Sequence, residues 1–227
     1  MKKRLIPLVA LMLTAITAMG QLPQFSSTSF TDWVYTNPAT ELNTQTILGN
    51  KIYLYTTSTG RQLTLTSPRF VCARGQVIDM NVTWITDQWK SDGFVVGKVA
   101  LTAAIIDDNG VVRDSVTYTL TSQTVSRTND VKMSLAVPRG LVGARLRFAS
   151  WKADVNSNGA VRQIVMTSTL RGDVNGDGEV TVADVNVIIS LILGASLSDE
   201  VRSRADVNGD AEVNLADVND VIDVLLW

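Results

Sequence analysis

The sequence predicts a mainly β chain: a jelly-roll-like β-sandwich over residues 21–170, followed by a small all-α domain over 171–227 with paired EF-hand-type loops. Three observations carry this reading. Short runs rich in β-branched and aromatic residues, broken by turn residues, fill the first part with no convincing helical period. A twelve-residue acidic pattern occurs twice in the last quarter, each copy followed by apolar residues at helical spacing. The charge also reverses at the junction, with 14 basic and 10 acidic side chains in residues 21–170 against 3 basic and 12 acidic in 171–227.

The chain begins with Lys2, Lys3 and Arg4, then an uncharged run from Leu5 to Met19. This is the layout of a secretory signal peptide over residues 1–20, with small residues at Ala18 and Gly20 placing cleavage before Gln21. The run is too short for a bilayer span. The expected destination is therefore outside the cytoplasm: medium, cell surface or periplasm.

Composition removes several chemistries. The 227 residues include no histidine and one cysteine, so Ser/His/Asp and Cys/His catalysis, a His-ligated zinc and an intrachain disulfide cannot be built. With 45% hydrophobic and 19% charged residues the chain reads as globular. Cys72, in Arg69-Phe70-Val71-Cys72-Ala73, is expected to be a buried strand residue.

Strands are expected at 51–55, 62–66, 77–84, 98–106, 111–120, 131–137 and 144–150, giving eight or nine in all. Asp108-Asn109-Gly110 supplies a hairpin turn between two of them. Asp154-Val155-Asn156-Ser157-Asn158-Gly159 begins like a metal loop but meets Val165 at its twelfth position, so it is read as a hairpin turn. The Ser67-Pro68 turn followed by an alternating strand ending in Trp84 resembles the jelly-roll ligand-binding and adhesin-type domains of secreted bacterial proteins.

Exposed aromatic rings are what a sugar face stacks on. Trp89, in the polar segment Asp87 to Gly93, is the candidate ligand-binding residue, followed by Trp33 and Tyr35, while Trp84 and Trp151 are expected in the core. Glycoside hydrolysis would need a pair of carboxylates. Among the ten acids of residues 21–170 the adjacent pair Asp107-Asp108 is accounted for by the turn, so no catalytic residue is assigned. No basic cluster with interleaved aromatics suggests nucleic acid.

In the tail, Asp173-Val174-Asn175-Gly176-Asp177-Gly178-Glu179-Val180-Thr181-Val182-Ala183-Asp184 aligns with Asp206 to Asp217 at a period of 33 residues. Side-chain oxygens fall at positions 1, 3 and 5 (Asp173, Asn175, Asp177; Asp206, Asn208, Asp210). A backbone carbonyl is available at position 7 (Glu179; Glu212), and a carboxylate closes each loop at position 12 (Asp184; Asp217). Six to eight hard oxygen donors at this spacing suit Ca²⁺. Gly178 stands where the loop turns sharply, but Ala211 replaces it in the second copy, so a weaker or distorted second site is expected. The strand-like segment Val165 to Leu170 before loop one disfavours a helix on both sides of each loop.

Two loop-then-helix motifs, joined by a short helix at Asp199 to Arg204 capped by Ser198, resemble a type I dockerin domain over 171–227. The resemblance implies calcium-dependent attachment of a secreted protein to a cohesin-like partner, often in polysaccharide degradation. It also implies partner contacts at loop positions 10 and 11, here Val182-Ala183 and Leu215-Ala216, and along the helices at Ile189-Ser190 and Ile222-Asp223. The hydroxyl pair familiar from cellulosomal members is absent, so an unfamiliar cohesin, another partner or the chain's own sandwich all stay open. The leading expectation is a secreted non-catalytic sandwich that binds a glycan or surface and is attached through the tail. The alternatives are a polysaccharide-active enzyme carried by the tail, and a structural protein braced by it.

Overall fold

The computed structural model describes residues 22–26, 32–36, 52–54, 64–88, 99–119, 128–152 and 157–226. The expected leader, Trp89, the turn at Asp154 to Asn156, and Trp227 lie outside the described residues. The chain divides into two compact units: Leu22–Phe70 with Gln76–Thr169, and Val71–Gly75 with Leu170–Trp227.

The larger unit is a sandwich of antiparallel strands: β1 (Phe25–Ser26), β2 (Val34–Thr36), β3 (Ile52–Leu54), β4 (Thr64–Thr66), β5 (Phe70–Val71), β6 (Gln76–Gln88), β7 (Val99–Ile106), β8 (Val112–Thr119), β9 (Thr128–Ala136), β10 (Gly143–Lys152) and β11 (Ser157–Leu170). One sheet runs β1-β11-β6-β9 with β3 also on β11; the other runs β2-β4-β10-β7-β8 with β5 also on β10. Period-two burial explains why these segments are strands. In β9, Val131, Met133 and Leu135 are buried while Lys132, Ser134 and Ala136 are exposed. Opposite them Ile78, Met80 and Val82 of β6 are buried too, through the register Ile78↔Leu135, Met80↔Met133 and Val82↔Val131.

The expected strands are all present among the described residues, with small changes at their ends. Four features differ. β1, β2 and β5 were not foreseen, and β11 starts at Ser157, well before the expected strand-like segment at Val165. Cys72 lies just beyond β5 and is only partly buried, because the chain leaves the strand at Val71. Trp33 is a core residue and no candidate for stacking on a sugar: it is 7% exposed, meets Phe25 edge-on at 5.1 Å and Phe148 at 6.2 Å, and donates Nε1–H to the Gln24 carbonyl at 3.0 Å. Trp84 is fully buried as expected, with Tyr118 edge-on at 6.1 Å.

The turn between β7 and β8 forms as the sequence implies. The Asp107 carboxylate accepts from the N–H groups of Asn109 and Val111, both at 2.9 Å, and Gly110 takes a positive φ of 79°. The Val111 N–H above all holds the Asp107 carboxyl below the usual carboxylate range. Its stabilising effect is therefore present above the unfolded-chain pKa and lost as pH falls through the lower folded value. Asp108 takes a bidentate pair from Arg69 at 2.8 and 3.0 Å. Both acids thus have structural partners.

The smaller unit contains α1 (Val182–Ile192), α2 (Asp199–Ala205) and α3 (Leu215–Leu225). Each starts where a capping residue precedes it. Thr181, Ser198 and Asn214 accept from backbone N–H groups of the first turn. The connecting helix and its Ser198 cap match the expectation, with one residue added at the C-terminal end. Val174, Val185, Ile188, Leu191, Ala205, Val218 and Val221 form one core drawn from both repeats. The segment Val71–Gly75 belongs to this unit: Gly75 accepts from the Arg171 N–H at 2.8 Å, and Arg74 donates to the Leu225 carbonyl at 3.1 Å. A Cβ on Gly75, which has φ +64°, would stand 2.5 Å from the Arg171 carbonyl oxygen, so only glycine fits.

Candidate metal centre

Both acidic loops fold on their own aspartates. In loop one, Asp173 Oδ1 accepts from the N–H of Gly176 at 2.8 Å and Asp177 at 3.1 Å, and Oδ2 accepts from Gly178 at 3.0 Å. Asn175 Oδ1 accepts from Asp177 N–H at 2.8 Å, and Asp177 Oδ1 accepts from Glu179 N–H at 2.9 Å. Such nested side-chain caps are why Asp and Asn, rather than longer residues, occupy alternate positions in a tight loop.

The closing residue has a second role that the sequence reading missed. Asp184 is the third residue of α1, fully buried, and forms a capping box with Thr181. Its Oδ1 accepts from Val174 and Asn175 N–H at 2.8 and 3.0 Å, and its Oδ2 from Thr181 N–H at 2.8 Å. One carboxylate therefore ties the start of the loop to the start of the helix. The arm of aspartate, one methylene shorter than the glutamate that closes the common EF-hand loop, places the carboxylate within reach of its own helix N-terminus. The sequence did carry this signal, since Thr181-Val182-Ala183-Asp184 and Asn214-Leu215-Ala216-Asp217 both read as capping boxes.

Loop two repeats this network bond for bond. Asp206 accepts from Gly209, Asp210 and Ala211 at 2.8, 3.0 and 2.9 Å, and Asp217 accepts from Val207, Asn208 and Asn214 at 2.8, 3.3 and 2.9 Å. Ala211 takes φ +69° where Gly178 has +88°. The expected distortion of the second loop is absent; the alanine adopts the glycine conformation, and its cost is strain of about 1 kcal/mol. Ala211→Gly is expected to raise the stability of the unit by about 1 kcal/mol and Gly178→Ala to lower it by a similar amount, read from thermal melts in saturating calcium.

The donor set fits a hard cation: every side-chain donor is oxygen. Among the described residues none of Asp173, Asp177, Asp184, Asp206, Asp210 or Asp217 is in an ion pair with a basic side chain. Each carboxylate has about four lone-pair sites: backbone N–H groups use three in Asp173, which leaves one for an ion, and three in Asp184, whose fourth meets only the Thr181 hydroxyl at a long 3.5 Å. Among the described residues no group of three or more Asp, Glu, Cys or His side chains stands already gathered around one point, because the carboxylates are turned onto the loop amides. Glu179 and Glu212 are exposed, and the contribution expected of them is a backbone carbonyl.

The expected partner residues lie on the surface of the helices. Val182 and Leu215 are 65% and 67% exposed, Ile189 and Ile222 are each 38% exposed, and Ala183, Ser190, Ala216 and Asp223 are exposed too. The apolar residues of α1 and α3 divide between the two faces: Val185, Ile188, Val218 and Val221 face the core, whereas Ile189, Ile192 and Ile222 do not.

Residues 171–226 match the dockerin type I domain family. Dockerin type I domains bind calcium in general, and dockerins bind cohesins. The match covers the segment holding both loops and all three helices. Among solved structures, the chain is similar to the enzymatically active domain of bacteriophage CBA120 tailspike protein 4 (12% identity, TM-score 0.39, 67% of this chain and 21% of that one). It is similar also to TmCBM61, solved in complex with β-1,4-galactotriose (11%, TM-score 0.39, 66% and 99%). A third similarity is to the K3 adhesin domain of Lys-gingipain from Porphyromonas gingivalis (13%, TM-score 0.39, 60% and 92%). The chain thus spans about a fifth of the tailspike structure. A search of the curated proteins gives no match. Among the described residues no helix is long and apolar enough to cross a membrane.

The outer face of the β11-β6-β9 sheet carries a depression of about 390 Å³ lined by Asp79, Asn81, Lys132, Ser134, Val165 and Thr167, together with Met80 and Met133. Asp79 pairs with Ser134 and Asn81 with Lys132 across the strands, which sets hydrogen-bonding side chains side by side on the solvent face.

Proposed function

We propose that the protein is a secreted, non-catalytic attachment component of a polysaccharide-degrading or surface assembly: a β-sandwich with the domain bounds 21–170, carried by a dockerin-like unit over 171–227 after removal of residues 1–20. The observation that carries this reading is the bond-for-bond repetition of two oxygen-donor loops. Each is followed by a helix with exposed apolar residues at the positions expected to meet a partner. In this reading Asp173, Asn175, Asp177, the Glu179 carbonyl and Asp184 hold one Ca²⁺. Asp206, Asn208, Asp210, the Glu212 carbonyl and Asp217 hold the second, with the strain at Ala211 making that site the weaker. A bound ion would offset the mutual repulsion of these carboxylates, and the chain's own part is to fix the helices at the loop ends through the capping boxes.

The partner is cohesin-like, and its contacts fall on Val182, Ala183, Ile189 and Ser190 or their counterparts Leu215, Ala216, Ile222 and Asp223. The sandwich contributes recognition of a glycan or surface, with Trp89 and the depression at Asp79, Asn81, Lys132 and Ser134 as its two candidate contacts. Hydroxyl-rich ligands suit such a row of donors and acceptors.

The test is a pull-down from the envelope and culture fluid of the producing cells, with the full chain as bait, in calcium and again in chelator. A protein retained only in calcium is the expected result. Retention of nothing in either condition, or equal retention in both, would remove the attachment reading.

A further inference from the structure

The tail holds a feature with no counterpart in the loop pattern. Arg171 and Arg204 stand 33 residues apart, each two residues before the first aspartate of its own loop. Each reaches across to the other loop: Arg171 Nε donates to the Val207 carbonyl and Arg204 Nε to the Val174 carbonyl, both at 3.0 Å. Val174 and Val207 are themselves repeat equivalents, the second position of each loop. A Cβ on Gly176 would stand 3.0–3.2 Å from the Arg204 guanidinium, so that group lies directly on the backbone of loop one. One further nitrogen of each is anchored as well, Arg204 Nη1 to Glu200 at 2.8 Å and Arg171 Nη2 to Asp220.

We infer that Arg171 and Arg204 are positioning residues that couple the two loops, so that an ion held in one raises the affinity of the other for calcium. This rests on the calcium reading of the loops. The peptide between Val174 and Asn175 links the first and second donor positions of loop one. Its carbonyl is held by Arg204 and its N–H by Asp184. The Val207–Asn208 peptide of loop two is held in the same way by Arg171 and Asp217. Order gained in one loop therefore fixes an arginine whose own backbone leads, two residues later, into the other. The cost of ordering the second loop is partly met when the first fills, which is positive coupling without any shared ligand. A lysine keeps the charge but lacks the planar fork that engages a carbonyl and a carboxylate at once.

The test is a calorimetric calcium titration of the full chain, wild type beside Arg204→Lys, Arg204→Met and Arg171→Met, with circular dichroism in saturating calcium to establish that each variant is folded. The wild type is expected to take two ions with the second bound about tenfold more tightly than independent sites would allow. Arg204→Lys is expected to lose that enhancement while still taking two ions. It decides the question should the methionine variants fail to fold. Amide exchange at Gly209, Asp210 and Ala211 is expected to slow when loop one alone is filled in an Asp217→Asn background, and to stop responding once Arg204→Lys is added. Independent sites in the wild type, or undiminished coupling in Arg204→Lys, would overturn the inference and leave the calcium reading standing. No calcium uptake by the wild type would overturn both.

Discussion

Replacing Asp184 by alanine is expected to abolish calcium uptake by loop one and to melt the C-terminal unit. The side chain is fully buried and accepts three backbone hydrogen bonds, from Val174, Asn175 and Thr181. Truncation strands all three donors, removes the α1 capping box and deletes the closing ligand. Each buried orphan costs about 1–3 kcal/mol, so a loss of about 3 kcal/mol or more is expected even before any ion is considered. Asp217→Ala should behave alike, because the bonds to Val207, Asn208 and Asn214 are equivalent. Helical circular dichroism with and without calcium provides the check. A variant that keeps, in calcium, the helicity of the calcium-loaded wild type would overturn this expectation.

Chelation of the wild-type protein is expected to have an effect of similar size. Among the described residues this small unit has seven buried apolar side chains in its core, and domains of such length are marginal without a staple. An ion at a hundred times its dissociation constant contributes about 2.7 kcal/mol per site, hence about 5 kcal/mol for two. Adding excess chelator should therefore remove much of the helical signal in a cooperative step, and restoring calcium should return it. A melting profile insensitive to both additions would argue that the core and caps suffice by themselves.

Much of this architecture was legible because its elements repeat a period long enough to read. β6 and β9 alternate over eight residues or more, β7 is a near-continuous apolar run of strand length, and the acidic loops are an internal duplication. The short strands were not legible, since two residues, as in Phe25–Ser26 and Phe70–Val71, have no period at all. β11 was read only in part for a different reason. Ala160 and Val161 are buried together, Arg162 and Gln163 are exposed together, and only from Ile164 does strict alternation resume. Trp33 was misjudged because its ring fills a gap between Phe25 and Phe148, residues 8 and 115 positions away in sequence.

At the candidate metal centre the oxygen donors could be named from spacing alone, because a tight loop makes its ligands neighbours in sequence. The capping role of Asp184 was equally readable but was hidden behind its role as a ligand. Arg171 and Arg204 were not readable. Each serves the opposite repeat, and nothing local distinguishes them from solvent-exposed basic residues flanking an acidic segment. Ala211 shows the opposite limit: the substitution was visible, but the bonds to Asp206 and Asp217 impose the backbone that alanine resists.

The core shared between the two repeats has a consequence for how the unit comes into being. Val174, Val185, Ile188 and Leu191 come from the first repeat, whereas Val218 and Val221 come from the second. A nascent or proteolytically shortened chain ending before α3 lacks Val218 and Val221 from that interior, Asp220 as a partner for Arg171 and the Asp217 carboxylate that closes loop two, so it gains little by ordering its first helix. Folding is then all or none across both repeats, and a nick anywhere between Asp173 and Leu225 discards the whole attachment surface rather than half of it.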